Sequence, residues 1–255
     1  MNLHVICAFR NRPDLLEPSL ESIDSQTDPD FTVHVGNDDS DEEGVDEALA
    51  RWRERRPDWD FHIFRPRIGV IGNQATMIRD TPMAPEDVIV FLDGDDRFAH
   101  PEVISRLMDV YASTNVDVTY GNYRPDPPHD GCPPVKPIPP EVCADTTYRR
   151  WAQRNGTCWN HLRTFRRRIF DAIPDSYMKM RGQWLDGGAD YALMTPALEL
   201  AGGRHFMFDE VLVLYTSDRP DAEWRSKSEG IAKGRRYTAS RRALKPIPPL
   251  TEIPT

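Results

Sequence analysis

The first feature of this 255-residue chain that can support chemistry is a cluster of three aspartates, Asp93-Gly94-Asp95-Asp96. It ends the apolar run at 87–94, which is typical of a strand buried on both faces. Crowded carboxylates repel one another, and a divalent cation, which prefers oxygen ligands, offsets that repulsion. A diphosphate can fill the coordination positions that the protein leaves open. The alternative is an acidic turn that caps a helix opened by Pro101.

A second acidic cluster, Asn37-Asp38-Asp39-Ser40-Asp41, follows the strand-like run at 31–36. An aspartate at this position can accept hydrogen bonds from the ring N–H of a nucleobase or from a ribose hydroxyl. Asparagine, aspartate and serine also form Asx-type turns readily, so a local turn is the alternative interpretation. The residues alone leave both open.

A third polar group, Gly187-Gly188-Ala189-Asp190, precedes a run with helical spacing. Asp190 can be simply the helix N-cap, since aspartate accepts hydrogen bonds from the first N–H groups of a helix. It can equally be the general base that removes a proton from an attacking hydroxyl. That role typically contributes about 10²–10⁴-fold in rate.

Alternating strand and helix signals position the first two clusters, since apolar β-rich runs alternate with apolar residues at helical spacing. Strands are predicted at 3–9, 31–36, 60–65 and 87–94, and helices at 14–25, 45–56 and 69–79. This order predicts an α/β fold with a mainly parallel central sheet and helices on both faces. In such sheets ligands bind at the carboxyl ends of the strands, where the two acidic clusters lie.

Prolines interrupt the second half of the chain, with eight of them at 124–140. Because proline lacks an N–H donor, that segment is predicted to be a loop and neither helix nor central strand. A basic, aromatic-rich stretch follows at 148–173. A helix at 190–201 ends at two glycines, and a strand follows at 205–216. The basic tail from Glu229 is predicted to be a loosely held helix and coil.

The net charge of −9 hides an asymmetry between two parts of the chain. Residues 1–144 hold 28 acidic against 13 basic residues, which suits a site for divalent cations. Residues 145–250 hold 19 basic against 12 acidic residues. Basic surface of this kind either attracts an anionic acceptor or is simply solvated.

Composition excludes several classes of protein. Hydrophobic residues make up 39% of the chain, enough for a sizeable core. No run of about 18 apolar residues exists and no signal-peptide pattern opens the sequence, so we expect a cytoplasmic protein without a membrane span. The four cysteines form no CxxC pair, which argues against a zinc site and against a disulfide framework.

Taken in order, these segments resemble the family 2 glycosyltransferases with the GT-A fold. The resemblance covers roughly residues 3–216 and rests on five segments. These are CAFRNRPDLLEPSLESIDSQT for the opening strand and helix, VHVGNDDSDE for the nucleoside-binding aspartate, GVIGNQA for the glycine-led helix, VFLDGDD for the metal motif, and GGADYALMTPALELAG for the catalytic base.

The resemblance implies a Rossmann-like, three-layer α/β/α GT-A domain that transfers a sugar from a nucleotide diphosphate sugar to an acceptor hydroxyl. It implies inversion, Mn²⁺ or Mg²⁺ as cofactor, and, by the habit of the family, a UDP-sugar donor. Residues 1–120 would form the nucleotide-sugar-binding half and 145–228 the acceptor-binding and catalytic half. A proline-rich loop at 121–144 would join them, and 229–255 would form a basic tail.

The roles implied by the resemblance fall on nine residues. Asp38 would contact the base or ribose beside Ala8 and Arg12, and Asp93 and Gly94 would contact the donor. Asp95 with Asp93 would bind the metal, and Asp190 would be the base. Outside these nine, Asp186 is the next candidate for the base if Asp190 is not. A weaker similarity of WNHLRTFRRRIFDAI to enzymes that act on capsular or other surface polysaccharides would put His161 and Arg163 near the acceptor or diphosphate. The alternative for that segment is an amphipathic structural helix.

Three departures from the family pattern matter. Asn37 replaces a frequent aspartate, which leaves the register of the acidic turn open by one position. Ala189 replaces the glutamate that commonly precedes the base. Glu223-Trp224-Arg225 lacks the glutamine of the QxxRW motif, so a processive synthase is not expected.

The acceptor stays open among a glycan, a lipid-linked molecule and a hydroxylated nucleobase. In the last case the chain would be a phage-type DNA glycosyltransferase that modifies hydroxymethylated bases, with phosphate contacts from Arg166-Arg167-Arg168, Arg235-Arg236 and Arg241-Arg242. No DNA-binding motif accompanies these arginines. A non-catalytic nucleotide-sugar-binding module is a further alternative, while a nucleotidyltransferase would need a glycine-rich opening that strand one lacks.

Overall fold

The computed structural model describes residues 1–128, 134–145, 147–155, 161–217 and 228–250. The strands in these ranges are β1 Leu3–Phe9, β2 Phe31–Asp38, β3 Asp60–Phe64, β4 Val88–Asp93, β5 Arg97–Phe98, β6 Val118–Asp126, β7 Arg163–Arg166, β8 Lys179–Met180, β9 Gln183–Trp184 and β10 His205–Thr216. The helices are α1 Pro13–Asp24, α2 Val45–Arg55, α3 Gly69–Asp80, α4 Val103–Ser113, α5 Pro140–Ala144, α6 Tyr148–Asn155, α7 Arg167–Ala172, α8 Asp175–Met178, α9 Ala189–Ala201 and α10 Ser228–Ser240.

Eight strands form one sheet in the order β3-β2-β1-β4-β7-β6-β10-β5, and β8 pairs with β9 separately. The strands β3, β2, β1 and β4 are parallel to one another, as are β6 and β10. The strand β7 runs antiparallel between β4 and β6, and β5 runs antiparallel to β10. The predicted α/β fold with a mainly parallel sheet is therefore confirmed.

Successive side chains of β1 pack on opposite faces of the sheet and so contribute to two core layers. Leu3, Val5 and Cys7 pack on one face of the sheet, against α1, α2 and α4. Ile6 and Ala8 pack on the other face, against α3, α7 and α9. Burying each large aliphatic side chain contributes roughly 1.5–3 kcal/mol, so both faces must be covered by helices. The result is the expected three-layer arrangement.

The proline-rich segment differs from the prediction at both of its ends. The strand β6 continues through Pro125, which is aligned with Tyr215 of β10. Among the described residues, β7 pairs with β6 at Val118 and Thr119 alone, so Pro125 lies where β6 is paired on one side, as proline in a sheet requires. At the other end Pro140 opens α5. Residues 129–133 lie outside the described ranges.

The C-terminal segment is held more firmly than the sequence predicts. Glu199, fully buried in α9, accepts a hydrogen bond from Arg149 Nη2 at 3.0 Å and another from Leu244 N at 2.9 Å. Ile247 N donates to the carbonyl of Leu200 at 3.0 Å. These bonds anchor the chain after α10 to the body of the domain. Among the described residues, no helix combines the length and apolar character needed to cross a bilayer.

Three histidines lie side by side on β1, β2 and β3. His4 Nδ1 is 3.2 Å from His34 Nε2, and the ring centroids of His34 and His62 are 6.1 Å apart. Carboxylates flank this group, with Asp60 Oδ2 3.2 Å from His34 Nδ1 and Asp87 Oδ2 3.8 Å from His4 Nε2. Burial lowers the pKa of all three imidazoles, and for His34 burial and the neighbouring His4 lower the pKa to about 4.

This group predicts a loss of stability in mild acid. Unfolded His34 takes up a proton near pH 6.5 and folded His34 only near pH 4, so the unfolded state binds more protons between these values. The free energy of unfolding should be flat with respect to His34 above about pH 6.5 and fall by up to about 3 kcal/mol toward pH 4. Urea unfolding at a series of pH values measures this, with His34→Gln as the comparison. An equally steep acid limb in that variant would contradict the assignment.

Candidate active site

One cavity opens at the carboxyl ends of β1, β2 and β4, with a volume of about 360 Å³. The acidic segments after β2 and β4 and the start of α9 converge on it. The nine residues to which the resemblance assigns a role all line this cavity: Ala8, Arg12, Asp38, Asp93, Gly94, Asp95, His161, Arg163 and Asp190. The structure thus brings together side chains that are up to 182 positions apart in the chain.

A tight turn after β4 positions the carboxylates of Asp93, Asp95 and Asp96. Gly94 N donates to the carbonyl of Ala8 at 3.0 Å, and Asp96 N donates to the carbonyl of Asp93 at 2.8 Å. A Cβ atom at Gly94 would lie only 2.4 Å from Phe9 Cβ. The turn therefore lies so close to β1 that no side chain fits there, and this closeness fixes the position of its carboxylates.

Gly94→Ala is expected to lower the free energy of unfolding by about 1–3 kcal/mol, because the added methyl overpacks against Phe9 and Ala8. Denaturant unfolding measures the change. Gly230→Ala in α10 is the matched control, since its Cβ would meet the carbonyl of Asp186 at an ordinary 3.7 Å. Equal stability of Gly94→Ala and the wild-type protein would contradict the close approach.

Asp93, Asp96 and His161 form the most concentrated group of potential metal ligands in the described residues. One ligand atom from each lies within 4.8 Å of the other two. Asp96 Oδ2 and His161 Nδ1 face each other at 3.5 Å, and both atoms are buried without a hydrogen-bond partner. Burial and the neighbouring Asp95 and Asp93 raise the pKa of Asp96 well above its ordinary value. Burial and Arg163 lower the pKa of His161 to about 3.

The strand β7 delivers Arg163 to the cavity, so the alternative of an amphipathic helix over 159–173 is wrong for this part. Arg163 pairs in register with Phe91 of β4. Its Nη2 donates to Asp93 Oδ2 at 2.7 Å. Burial opposes its charge, but Asp93 and Asp190 outweigh burial and raise the pKa of Arg163. The sheet therefore holds this guanidinium in the electrostatic field of both carboxylates.

Asp190 lies in the first turn of α9 and is not its N-cap. The N-cap is Gly188, with φ of 73°, and it makes no side-chain cap bond. Half-buried at the cavity, the Asp190 carboxylate accepts no hydrogen bond from a described residue. Asp186, the next candidate for the base, is exposed and does not line the cavity. The geometry thus favours Asp190 as the carboxylate available to a ligand.

Asp38 anchors the helix that closes another side of the cavity. Its carboxylate accepts hydrogen bonds from Ile68 N at 2.9 Å and Gly69 N at 3.0 Å, at the start of α3. Arg67 Nε donates to the same carboxylate at 3.3 Å. Asp38 is 4% exposed, so a change at this position affects the placement of α3 as well as any ligand.

The turn predicted for the second acidic cluster is present at Asn37, and Asp38, for which a nucleoside contact is predicted, lines the cavity. Asn37 Oδ1 accepts from Ser40 N at 3.0 Å in an Asx-type turn, while Asp38 rather than Asn37 lines the cavity. Ser40 Oγ in turn accepts from Asn11 N at 2.8 Å. Asn11 and Arg12 both adopt left-handed backbone conformations, with φ of 59° and 57°. The turn after β2 therefore shapes the loop after β1 that borders the cavity.

The arginine run Arg166-Arg167-Arg168 is structural. Arg166 is 1% exposed and donates to three backbone carbonyls at 2.9 to 3.0 Å. Arg167 Nε bonds Asp171 at 2.7 Å, and Arg168 Nε lies 3.4 Å from Asp117. The expectation that this run contacts nucleic-acid phosphates is therefore corrected, because its charges are used inside the fold.

Several cavity residues were not found from the sequence. Tyr215 stacks on His161 with ring centroids 5.1 Å apart, and Gln74 reaches the cavity from α3. Arg67 lies just before the glycine-led helix α3. That position is the one feature of the sequence that could have predicted its place at the cavity. Ile231 and Arg235 come from α10, where the sequence named Arg235 only among the arginines that could contact nucleic-acid phosphates and gave no signal for Ile231. The segment Glu223-Trp224-Arg225 lies outside the described residues.

The sheet order and the acidic cavity at its carboxyl edge define a GT-A-type α/β fold, and the expected Rossmann-like GT-A architecture is confirmed by its likeness to solved glycosyltransferases. The model of glycosyl transferase family 2 matches residues 4–173, more than half of the chain. The chain belongs to that family. None of the curated protein sequences matches this one significantly.

Three solved structures illustrate the likeness of fold. The mannosyltransferase PcManGT from Pyrobaculum calidifontis, in complex with GDP-Man and Mn²⁺, has a TM-score of 0.66 and 18% identity over 96% of this chain and 66% of its own. Glucosyl-3-phosphoglycerate synthase from Mycobacterium tuberculosis, with Mn²⁺, UDP-Glc and phosphoglyceric acid, has a TM-score of 0.63 and 13% identity over 93% and 79%. S. aureus TarS 1-349 has a TM-score of 0.62 and 14% identity. The match covers 85% of this chain and 60% of the TarS chain.

Proposed function

We propose that this chain transfers a sugar from a nucleotide diphosphate sugar to an acceptor hydroxyl, with inversion at the anomeric carbon. The observation that carries the proposal is that Asp38, Asp95 and Asp190, from three distant stretches of the chain, line one cavity. Membership of glycosyl transferase family 2 supports the same activity. The structures of PcManGT with GDP-Man and of TarS with UDP-GlcNAc support a nucleotide-sugar donor. UDP is the nucleotide we propose, by the habit of the family.

A divalent cation, Mn²⁺ or Mg²⁺, fits the residues at the end of β4. The buried Asp96 Oδ2 and His161 Nδ1 have no hydrogen-bond partner, and both atoms have lone pairs that can coordinate a cation. Asp93 and Asp95 supply further carboxylates at the same cavity, and hard cations take such oxygen ligands. When bound, the ion acts as a Lewis acid that offsets the charge growing on the departing diphosphate.

The donor side of the cavity is formed by β1, β2 and the turn after β4. Asp38 accepts a hydrogen bond from the nucleobase or ribose with the lone pairs that α3 leaves open, beside Ala8 and Arg12. The backbone at Gly94 packs closely against β1 and lines the cavity, where it contacts the donor. Arg163 carries positive charge next to Asp93, where it contacts the diphosphate.

Asp190 acts as the general base. As the acceptor oxygen attacks the anomeric carbon from the face opposite the diphosphate, the Asp190 carboxylate takes the proton of that hydroxyl. Arg163, whose pKa is raised by Asp93 and Asp190, keeps its positive charge at the cavity. A single carboxylate base with a metal-assisted leaving group suits direct displacement.

A screen of nucleotide sugars tests the proposed activity. UDP-, GDP- and dTDP-sugars are added to the full chain with Mn²⁺ or with EDTA, and both the unfolding temperature and the release of nucleoside diphosphate are followed. We expect one nucleotide class to raise the unfolding temperature and to be hydrolysed slowly, in each case only with Mn²⁺. Absence of any shift and of any release across the screen would refute the proposal.

A further inference from the structure

The helix α10 forms a wall of the cavity although it lies beyond the residues that match the family model. Ile231 and Arg235 of α10 line the cavity together with Asp190. The packing that puts them there is backbone against backbone, because a Cβ atom at Gly234 would lie 2.0 Å from the carbonyl oxygen of Gly187. The segment just before α9 therefore packs directly against α10, and this contact fixes the position of α10 at the cavity.

Arg235 lies beside the segment that carries the proposed base, where an aromatic ring holds its side chain. Its guanidinium carbon lies 4.4 Å from the ring centroid of Tyr191, the residue next to Asp190. A guanidinium held over an aromatic ring by a cation–π contact retains N–H groups that can bind a carboxylate or phosphate in a bidentate manner. The side chain is exposed at the cavity mouth.

The charge of Arg235 is not neutralised within the described part of the chain, where no carboxylate pairs with it. The other arginines that line the cavity each have a carboxylate close by: Arg10 with Asp41 at 3.1 Å, Arg12 with Asp14 at 2.9 Å, Arg67 with Asp38 at 3.3 Å, and Arg163 with Asp93 at 2.7 Å. Arg235 thus offers an unmatched positive charge on the Asp190 side of the cavity.

We propose that Arg235 binds an anionic group, phosphate or carboxylate, on the acceptor close to its reacting hydroxyl. This inference rests on the proposed function, because it takes Asp190 as the base and inversion as the stereochemical course. In a displacement with inversion the acceptor approaches on the side of the base and the diphosphate leaves on the opposite side. The anion that reaches Arg235 therefore belongs to the acceptor and not to the donor.

Binding of glycerol 3-phosphate and of glycerol, a pair that differs in the phosphate alone, tests the inference. The full chain is first saturated with Mg²⁺ and with UDP or GDP, whichever binds, and the two probes are titrated by saturation-transfer NMR. We expect glycerol 3-phosphate to bind at least about tenfold more tightly than glycerol. Arg235→Gln should remove about tenfold of that preference and leave nucleotide affinity unchanged.

Arg236→Gln is the matched control, since Arg236 is the exposed neighbour on the same helix and does not line the cavity. It should keep the preference for glycerol 3-phosphate, and both variants should unfold at the wild-type temperature. A preference that survives Arg235→Gln, or no preference in the wild-type protein, would overturn the inference. So would a loss of nucleotide affinity in Arg235→Gln without a change in preference, because the anion would then be the donor's diphosphate. Failure of both nucleotides to bind would instead refute the proposed function.

Discussion

Asp190→Asn is expected to slow sugar transfer by about 10²–10⁴-fold while nucleoside diphosphate affinity stays within about twofold. The amide has the shape of the carboxylate but cannot accept the acceptor's proton. Because no described residue donates a hydrogen bond to Asp190, the exchange leaves no broken bond of that kind in the folded chain. Release of nucleoside diphosphate gives the rate, and calorimetry gives the affinity.

Asp186→Asn is the control for this loss of rate. Asp186 lies four positions earlier and is exposed, so its substitution should leave the rate near that of the wild-type protein. The reverse pattern, with Asp186→Asn inactive and Asp190→Asn active, would show that the base lies outside the cavity we describe.

His161→Gln is expected to raise the Mn²⁺ concentration needed for nucleotide binding by about 100-fold. Its imidazole Nδ1 faces the buried Asp96 Oδ2 at 3.5 Å, and an amide that replaces the ring does not offer a comparable nitrogen ligand. Titration of Mn²⁺ at fixed UDP, followed by electron paramagnetic resonance of the free ion, measures the change.

Tyr215→Phe is the matched control for His161, because phenylalanine retains a ring that stacks on the imidazole at about the same distance. We expect it to bind Mn²⁺ within about threefold of the wild-type affinity, a difference of about 0.7 kcal/mol at most. An unchanged Mn²⁺ requirement in His161→Gln would remove His161 from the ligand set and leave Asp93 and Asp95 as the ligands that sequence reasoning names.

The part of the fold that follows from local signals was predictable. The strands β1, β2 and β4 are apolar runs that end in polar turns, and α3 is led by a glycine. The extension of β6 through Pro125 was not predictable, because it depends on pairing with β10, some 90 positions later. The same holds for Arg163, whose strand β7 inserts between β4 and β6.

The residues of the candidate site also fall into two groups, those predictable from local signals and those placed by tertiary contacts. Asp38, Asp93 and Asp95 follow strands whose parallel arrangement brings their ends to one edge of the sheet, so their proximity could be predicted. Tyr215 and Arg235 reach the cavity from segments without a local motif. Their places depend on tertiary contacts, such as the stacking on His161 and the backbone packing of α10, that no short window of sequence encodes.

The most direct test of the central claim is calorimetric titration of UDP and of GDP into the full chain, first with Mn²⁺ and then with EDTA. Because the three acidic segments meet in one cavity, we predict that one nucleotide binds at a single site and that chelation of the metal weakens binding by at least about tenfold. Binding of equal strength in EDTA, or no binding of either nucleotide, would contradict the account.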